Sequence, residues 1–398
     1  MHKRIAIPIL LTMLVIGWSA QAQTMSSALE QAWSRHPLAA SSTLNRSAAQ
    51  ARVDLASGLT PGPASLSLST LNDQIGANRG KQEWELEVET PLWLPGQRSA
   101  AQAEANATRK ELESQQLALR LQLAGEVREA WWALAQAQSN YTLAVARHTA
   151  AQDLKSDVER RTRAGELALV DFNLAQMEQL ATQSEVDEAH STLQQTEQNY
   201  RLLTGTVPPD KLEPESLAAP TTPEHPQILA AAATTLAAQT KLALAQKSQR
   251  EAPTVALRLV RERSDFSDTY ADALGLKLTI PFSLGARVRQ ELDVNHAQAV
   301  QVEAEYAQTV RRIALAQETS QRLLKTTQFQ LELATQRTAR TQDNLALLEK
   351  SFALGESDLP TLLRARAAHF DAQALLHRQQ INVHTAVSRV NQSLGVLP

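Results

Sequence analysis

The sequence predicts a mainly α-helical chain with a β-barrel part, arranged as two tandem α-β-β-α-α repeats. Three observations carry this. First, Ser99 to Arg163 contains no proline and is rich in Ala, Gln, Glu, Leu and Arg; as one helix of about 65 residues it would extend ~98 Å, too long for a compact domain. Second, five punctuation marks recur at an offset of 189 or 190: His36-Pro37 as His225-Pro226, Thr90-Pro91 as Ile280-Pro281, Gly96 as Gly285, Gly165-Glu166 as Gly355-Glu356, and Leu203 to Gly205 faintly as Ser393 to Gly395. Third, Glu83, Glu85, Glu87 and Glu89 alternate with Trp84, Leu86 and Val88, the period of two of a strand with all its charge on one face.

The chain opens on a processing signal. His2, Lys3 and Arg4 form a basic start, Ile5 to Trp18 an apolar core, and Ala20-Gln21-Ala22 a cleavage site, so residues 1–22 are expected to be removed on export. Taking Lys3 and Arg4 from the 39 basic residues leaves a charge of about -5 against 42 acidic ones, which gives no reason to expect nucleic acid. With no cysteine, disulfides, thiolate metal sites and a lipid anchor on cysteine are excluded. No later apolar run of some 18 residues is evident, so no membrane-spanning helix is expected. A membrane role would have to use strands.

The first repeat covers residues 23–205. Met25 to Gly58 reads as helix, stopped by Thr60-Pro61-Gly62-Pro63. Strands follow at 64–70 and 82–90, the long helix spans 99–163, and after the turn at Gly165 a return helix spans 167–203. In the long helix Leu112, Leu119, Leu123, Val127, Trp131, Leu134, Tyr141 and Val145 recur every ~3.67 residues, the period of nearly straight packing. Trp131 and Trp132 are expected as anchors between helices, and Gly125, costing about 1 kcal/mol against Ala, as a point of close contact. The linker 206–226 carries six prolines and should be extended and irregular. The second repeat, 227–398, gives a helix from Gln227 to Glu251, strands at 254–263 and 270–280, a long helix at 286–354 and a last helix at 359–394.

Ala64, Leu66 and Leu68 alternate with Ser65, Ser67 and Ser69, and Leu274, Leu276, Leu278 and Ile280 with Gly275, Lys277 and Thr279. These strands have roughly the 9 to 11 residues of a tilted membrane strand. A single such hairpin is more often a small soluble sheet with one wet face. Export, hairpins at equivalent points of a repeat, and rods too long for a globule shift the balance to a barrel. Two hairpins cannot close one alone, so several copies of the chain are required.

Across the mature chain the order of these features resembles the TolC-like outer membrane efflux proteins. Its local carriers are Glu89-Thr90-Pro91-Leu92-Trp93-Leu94-Pro95-Gly96-Gln97-Arg98, similar to the family's strand-to-helix crossing, and the turns at Gly165 and Gly355, followed by Asp171 and by Leu359, Leu362, Leu363 and Ala365. The resemblance implies a homotrimer whose four strands per chain make a twelve-stranded barrel in the outer membrane of a Gram-negative bacterium, continued by a periplasmic helical tunnel. It implies a passive duct for efflux, joined by a periplasmic adaptor to an inner membrane pump of RND type. It places docking at the tips, through Gly165, Glu166, Asp171, Gly355, Glu356, Leu359, Thr361 and Arg364, and the crossings at Pro91, Gly96, Pro281 and Gly285. Where the family often carries two aspartates after the second tip glycine, this chain has Thr361 and Arg364, which puts an acidic ring there in doubt. The crossing and the compact length look nearest to the heavy-metal branch of CzcC type, so cations are the substrate expected. A pore-less structural or adhesive coiled-coil protein of the envelope is the alternative.

If the glutamate face lines the lumen, a trimer places twelve carboxylates there, from Glu83, Glu85, Glu87 and Glu89, partly offset by Arg258 and Lys277. Trp84, Trp93, Phe266, Tyr270 and Phe282 lie on or beside strands, where aromatic girdles sit. No G-x-S-x-G, H-E-x-x-H or phosphate-binding loop occurs, so neither an enzyme nor a cofactor is expected. His369, His377 and His384 share one side of the last helix but stand two turns apart, beyond one ion's reach; they read as solvated helix surface, and no metal site is assigned.

Overall fold

The structure is a computed structural model and describes residues 24–219, 224–282 and 285–398; the processing signal expected over residues 1–22 lies outside them. In order come α1 (Met25–Arg35), α2 (Pro37–Ser57), β1 (Ser65–Asn72), β2 (Gln82–Pro91), α3 (Gln97–Arg163), α4 (Leu169–Thr204), α5 (Pro226–Lys247), β3 (Thr254–Arg263), β4 (Ala271–Thr279), α6 (Gly285–Ala353) and α7 (Leu359–Ser393). The fold is mostly helical with one small antiparallel sheet. The rods α3 and α6 have 67 and 69 residues, each about 100 Å long. The chain exposes 25615 Å², where a globular protein of its mass would expose roughly 15,000 Å².

The helix expected over Met25 to Gly58 is two helices. Pro37 has no amide hydrogen and pushes the residue before it out of the helical region; His36 is extended at φ -69°, ψ 130°. His36 then caps α2, its Nδ1 accepting from the Leu38 amide at 3.2 Å. His225 does the same for α5, accepting from the Gln227 amide at 3.2 Å, so α5 starts at Pro226 inside the segment expected as linker.

A second correction concerns α5. It is long and apolar enough to cross a membrane by length and composition, which the expectation of no such helix passed over because alanines rather than large residues carry its hydropathy. Ala233, Ala237, Ala238 and Ala245 are buried where α5 packs against α3 and α6.

The core lies where α1, α3 and α4 meet. Trp131 and Tyr200 are fully buried there with Leu29, Val127 and Leu134, and Trp132 sends Nε1 to Ser388 Oγ on α7 at 2.8 Å. The 3.67-residue seam is buried from Leu123 to Leu134, whereas Leu112 and Val145 towards its ends stay 37% and 38% exposed. Gly125 is a close contact as expected: a Cβ there would lie 3.1 Å from Gln392 Nε2. Over residues 206–219 the expected linker carries neither helix nor strand but is tied down, since Glu215 pairs with buried Arg128 and the Ala218 amide donates to Asn391 Oδ1 at 3.1 Å.

The four strands pair antiparallel in the order β1-β2-β3-β4, so β1 and β4 are edges without a partner in the single chain. The register aligns Leu68 with Leu86, Leu86 with Leu259, and Leu259 with Leu274. Because partners across a ladder share a face, one side of the sheet carries Leu66, Leu68, Trp84, Leu86, Val88, Leu257, Leu259, Leu274, Leu276 and Leu278, all exposed. The other side carries the serines of β1, the glutamates of β2, Arg258 and Lys277.

Candidate functional site: a charged sheet face, its crossing and two helical turns

Alternation along β2 puts Glu83, Glu85, Glu87 and Glu89 on one face, and the register sets Arg258 of β3 opposite Glu87. Arg258 Nε lies 2.5 Å from Glu85 Oε1 and 3.2 Å from Glu87 Oε2, while Lys277 Nζ lies 3.4 Å from Glu87 Oε1. The middle of the face is thus a four-residue ion network. Glu83 instead faces Glu262 directly across the ladder, and Glu89 faces Ala256. Two of the four glutamates are therefore compensated and the outer two are not matched with a cation across their ladder.

At the opposite end of the strands the sheet hands over to helix. Gly96 takes φ +75°, a left-handed conformation that glycine adopts without a Cβ penalty, directly before α3. Gln97 turns back to accept from the Leu94 amide at 3.0 Å and donates to Ser248 Oγ at 3.0 Å. The Leu92 amide donates to the Pro253 carbonyl at 2.7 Å. Trp93, expected in a girdle, donates Nε1 to the Gly58 carbonyl at 3.1 Å, so its polar edge fastens the end of α2. The crossing therefore gathers the ends of α2 and α5, the start of α3 and the strands. Pro281 and Gly285 flank the corresponding step into α6, with residues 283 and 284 outside the described residues.

At the far ends, α3 and α6 both close in a Schellman arrangement. Gly165 has φ +83° and Gly355 φ +77°. The Gly165 and Glu166 amides donate to the Thr162 and Arg161 carbonyls at 3.0 and 2.9 Å, and the Gly355 and Glu356 amides to those of Phe352 and Ser351 at 3.1 and 2.9 Å. Asp171 is committed to its own helix, accepting from the Ala168 amide at 3.2 Å. The residue doing the capping in the second turn is Asp358, which accepts from the Thr361 amide at 3.1 Å; it is absent from the residues expected at this turn, although an Asp three residues before Thr361 at a helix start is a capping signal. These bonds from Thr361 hold the Asp358 carboxyl below the usual carboxylate range. Arg364 folds back to Thr361 Oγ1 at 3.0 Å.

Leu359 needs correction as a docking residue. It is 1% exposed and packs with Leu362, Val158, Leu154 and Phe352, so it seats the turn from inside. The exposed apolar side chains at these ends are Leu169, Val170 and Leu354. Arg161 stacks over the Phe352 ring at 5.0 Å and reaches Glu166 at 3.3 Å, bridging the two turns. The histidines also differ from the expectation of a solvated surface: His369 is buried beside Phe370 and His384 stacks on Trp132 at 5.6 Å, because their helix side is packed against neighbouring rods. His377 alone of the three is exposed. Among the described residues no group of three or more His, Cys, Asp or Glu is placed to hold an ion.

Residues 222–396 match the sequence model of the outer membrane efflux protein family. No curated protein matches the chain in sequence. In fold, the chain is similar to the outer membrane protein VceC from Vibrio cholerae, with a TM-score of 0.79 and 16% identity over 94% of this chain and 96% of that one. It is similar to the outer membrane channel CmeC of Campylobacter jejuni, with a TM-score of 0.75 and 14% identity over 93% and 85%. CusC, solved in connection with transmembrane channel formation, gives a TM-score of 0.76 and 16% identity over 94% and 92%.

Proposed function

We propose, on the premise that the chain is a TolC-like outer membrane efflux protein by the sequence of its second half and the fold of its whole length, that it forms the passive outer membrane duct of a tripartite efflux system. The observation that carries this is the open sheet. Its edges β1 and β4 are unpaired, and its two faces are one exposed leucine surface and one charged surface. An edge cannot stay open in lipid, where each unpaired backbone group costs several kcal/mol. Joining β4 of one copy to β1 of the next closes a barrel with leucines towards lipid and glutamates towards the lumen; three copies give twelve strands. The rods then line up as a tunnel from the barrel into the periplasm, which accounts for an exposed area far above that of a globule.

The two halves read as tandem repeats, supported by matching His-Pro helix starts and Schellman turns. The turns at Gly165 and Gly355, with Leu169, Val170 and Leu354 exposed beside them, are the surface offered to a periplasmic adaptor and, through it, to an inner membrane pump of RND type. Cations, including heavy metals, are the substrate class favoured by the glutamate face and by the sequence's likeness to the CzcC branch. The reading is tested by outer membrane fractionation and planar-bilayer conductance: a detergent-resistant trimer with a stable open conductance is expected. A protein that stays monomeric and conducts nothing overturns it and leaves the pore-less coiled coil.

A further inference from the structure

At the loop end of the sheet, where β3 and β4 meet, two arginines and two aromatic rings form a cluster that the duct reading does not use. Arg261 and Arg263 each place the guanidinium carbon 5.0 Å from the centre of the Tyr270 ring, and Arg263 lies 5.6 Å from that of Phe266. Tyr270 donates its hydroxyl to Gln82 Oε1 at 2.5 Å, and Arg263 Nε donates to the Gly80 carbonyl at 3.1 Å. Gly80 itself is required, since a Cβ there would lie 2.6 Å from Phe266. The cluster is therefore held in place before any ligand arrives, which lowers the entropy cost of binding.

Charge and orientation point to the occupant. Arg261 is opposite Trp84 and Arg263 opposite Gln82, so both share the face of Leu86 and Leu259, the apolar one. At the same level Glu83 and Glu262 belong to the other face. The carboxylate paired with the cluster is Asp272, 3.7 Å from Arg261 Nε, with both side chains open to solvent. Asp265 of the hairpin turn is engaged by Ser267, and Arg263 makes no ion pair among the described residues, so its guanidinium is offered beside a surface of Trp84, Leu86, Leu259 and Leu274, all exposed. An anion with apolar tails beneath it fits both parts, and guanidinium groups favour phosphate oxygens through paired hydrogen bonds.

We propose that this corner of the sheet binds the phosphate-bearing headgroup of a membrane lipid between Arg261 and Arg263, with the acyl chains lying on the leucine face below. The proposal rests on the barrel reading, because it needs that face in lipid. The anchor fixes the barrel's height in the membrane and orders the loops at its mouth.

The full-length protein is reconstituted in nanodiscs of mixed phosphatidylcholine and phosphatidic acid, extracted gently, and its retained lipid counted by native mass spectrometry. Phosphatidic acid is expected to be retained about tenfold over phosphatidylcholine. Arg261→Gln with Arg263→Gln should bring the two lipids to parity, and Arg261→Gln alone, which leaves the bond from Arg263 to the Gly80 carbonyl in place, should remove part of the preference. Arg340→Gln, on the distant surface of α6, should leave it intact. Equal retention by the wild type, or a preference that survives the double substitution, overturns the proposal. Competition by inorganic phosphate at millimolar concentration overturns the lipid as occupant in favour of a free anion. A protein that does not enter the nanodiscs overturns the barrel reading and this one with it, an outcome distinct from insertion without preference.

Discussion

Arg128 on α3 and Glu215 in the segment after α4 form a buried ion pair, with Arg128 Nε 3.1 Å from both carboxylate oxygens and Nη2 2.9 Å from Oε1. Their side chains are 4% and 9% exposed. The same guanidinium also donates to Gln392 Oε1 and, at 2.9 Å, to the Val396 carbonyl. One cation thus fastens the proline-rich segment and the turn after α7 to α3. Removing one member of a buried pair leaves the other uncompensated, so Glu215→Ala is expected to destabilise the fold by about 3–5 kcal/mol. A fall in the urea midpoint of the purified protein checks this, and a midpoint equal to wild type would contradict it.

Next to this pair stands Gly125. Alanine would gain about 1 kcal/mol of helix propensity, but its Cβ would press on Gln392, whose amide is already engaged by Arg128 and the Leu121 carbonyl. Gly125→Ala is expected to give no net stabilisation, and Gly125→Val to cost about 1–3 kcal/mol by overpacking. Thermal unfolding of both variants decides; a more stable Gly125→Ala would show that Gln392 yields freely.

His225 gives the fold a dependence on pH. Its Nδ1 accepts from the Gln227 amide, which only an unprotonated nitrogen can do, and its pKa lies below the ordinary value chiefly through burial, with Arg312 of α6 lowering it further and a hydrogen bond to the Gln392 backbone opposing. A depressed histidine pKa means that the unfolded chain binds the proton first. The stabilisation is complete above about pH 6.5 and is lost as pH falls below that towards the lower folded-state value. Amide exchange at Gln227 to Leu229 should accelerate between neutral and mildly acidic pH. His225→Asn, a cap without a proton to gain, should flatten the profile; identical profiles would exclude the histidine as its source.

At the turns, Gly355 has a left-handed φ, yet a Cβ there would meet nothing within 4 Å, so a side chain is penalised by its own backbone alone. Gly355→Val is expected to cost about 1–2 kcal/mol locally, leave the assembled oligomer intact, and reduce export by weakening adaptor docking. Crosslinking to the adaptor and efflux in cells give the readout. Undiminished export would remove the docking site from this turn.

In the lumen reading, Arg258 and Lys277 mute Glu85 and Glu87. Arg258→Gln should therefore raise cation preference, and Glu83→Gln with Glu89→Gln lower it, as read from the reversal potential under a potassium chloride gradient. Insensitivity to all three substitutions would take this face out of the permeation path.

Much of the molecule is written locally. Rods, strands and turns follow from signals within a few residues: no proline across 99–163, strict alternation at Glu83 to Glu89, glycine where φ must be positive. Pro37 breaks the helix expected over Met25 to Gly58 and suits the first turn of a new one, and the extended backbone of His36 fixes where the second begins. Leu359 looked like surface because its own helix does not reveal that Phe352 and Val158 lie over it. The same holds for His369 and His384, whose packing comes from neighbouring helices, whereas His377 stays exposed as its position on the helix suggests.

By itself the sequence determined the parts, their order and the alternation that sorts leucines from glutamates, because backbone sterics and periodicity act over short range. Only the tertiary structure decided which groups meet: Arg128 with Glu215 across 87 residues, Arg258 with Glu85 across 173, and Arg261 and Arg263 around Tyr270. Those pairings depend on strand register and rod packing, set by long-range burial that no local pattern encodes.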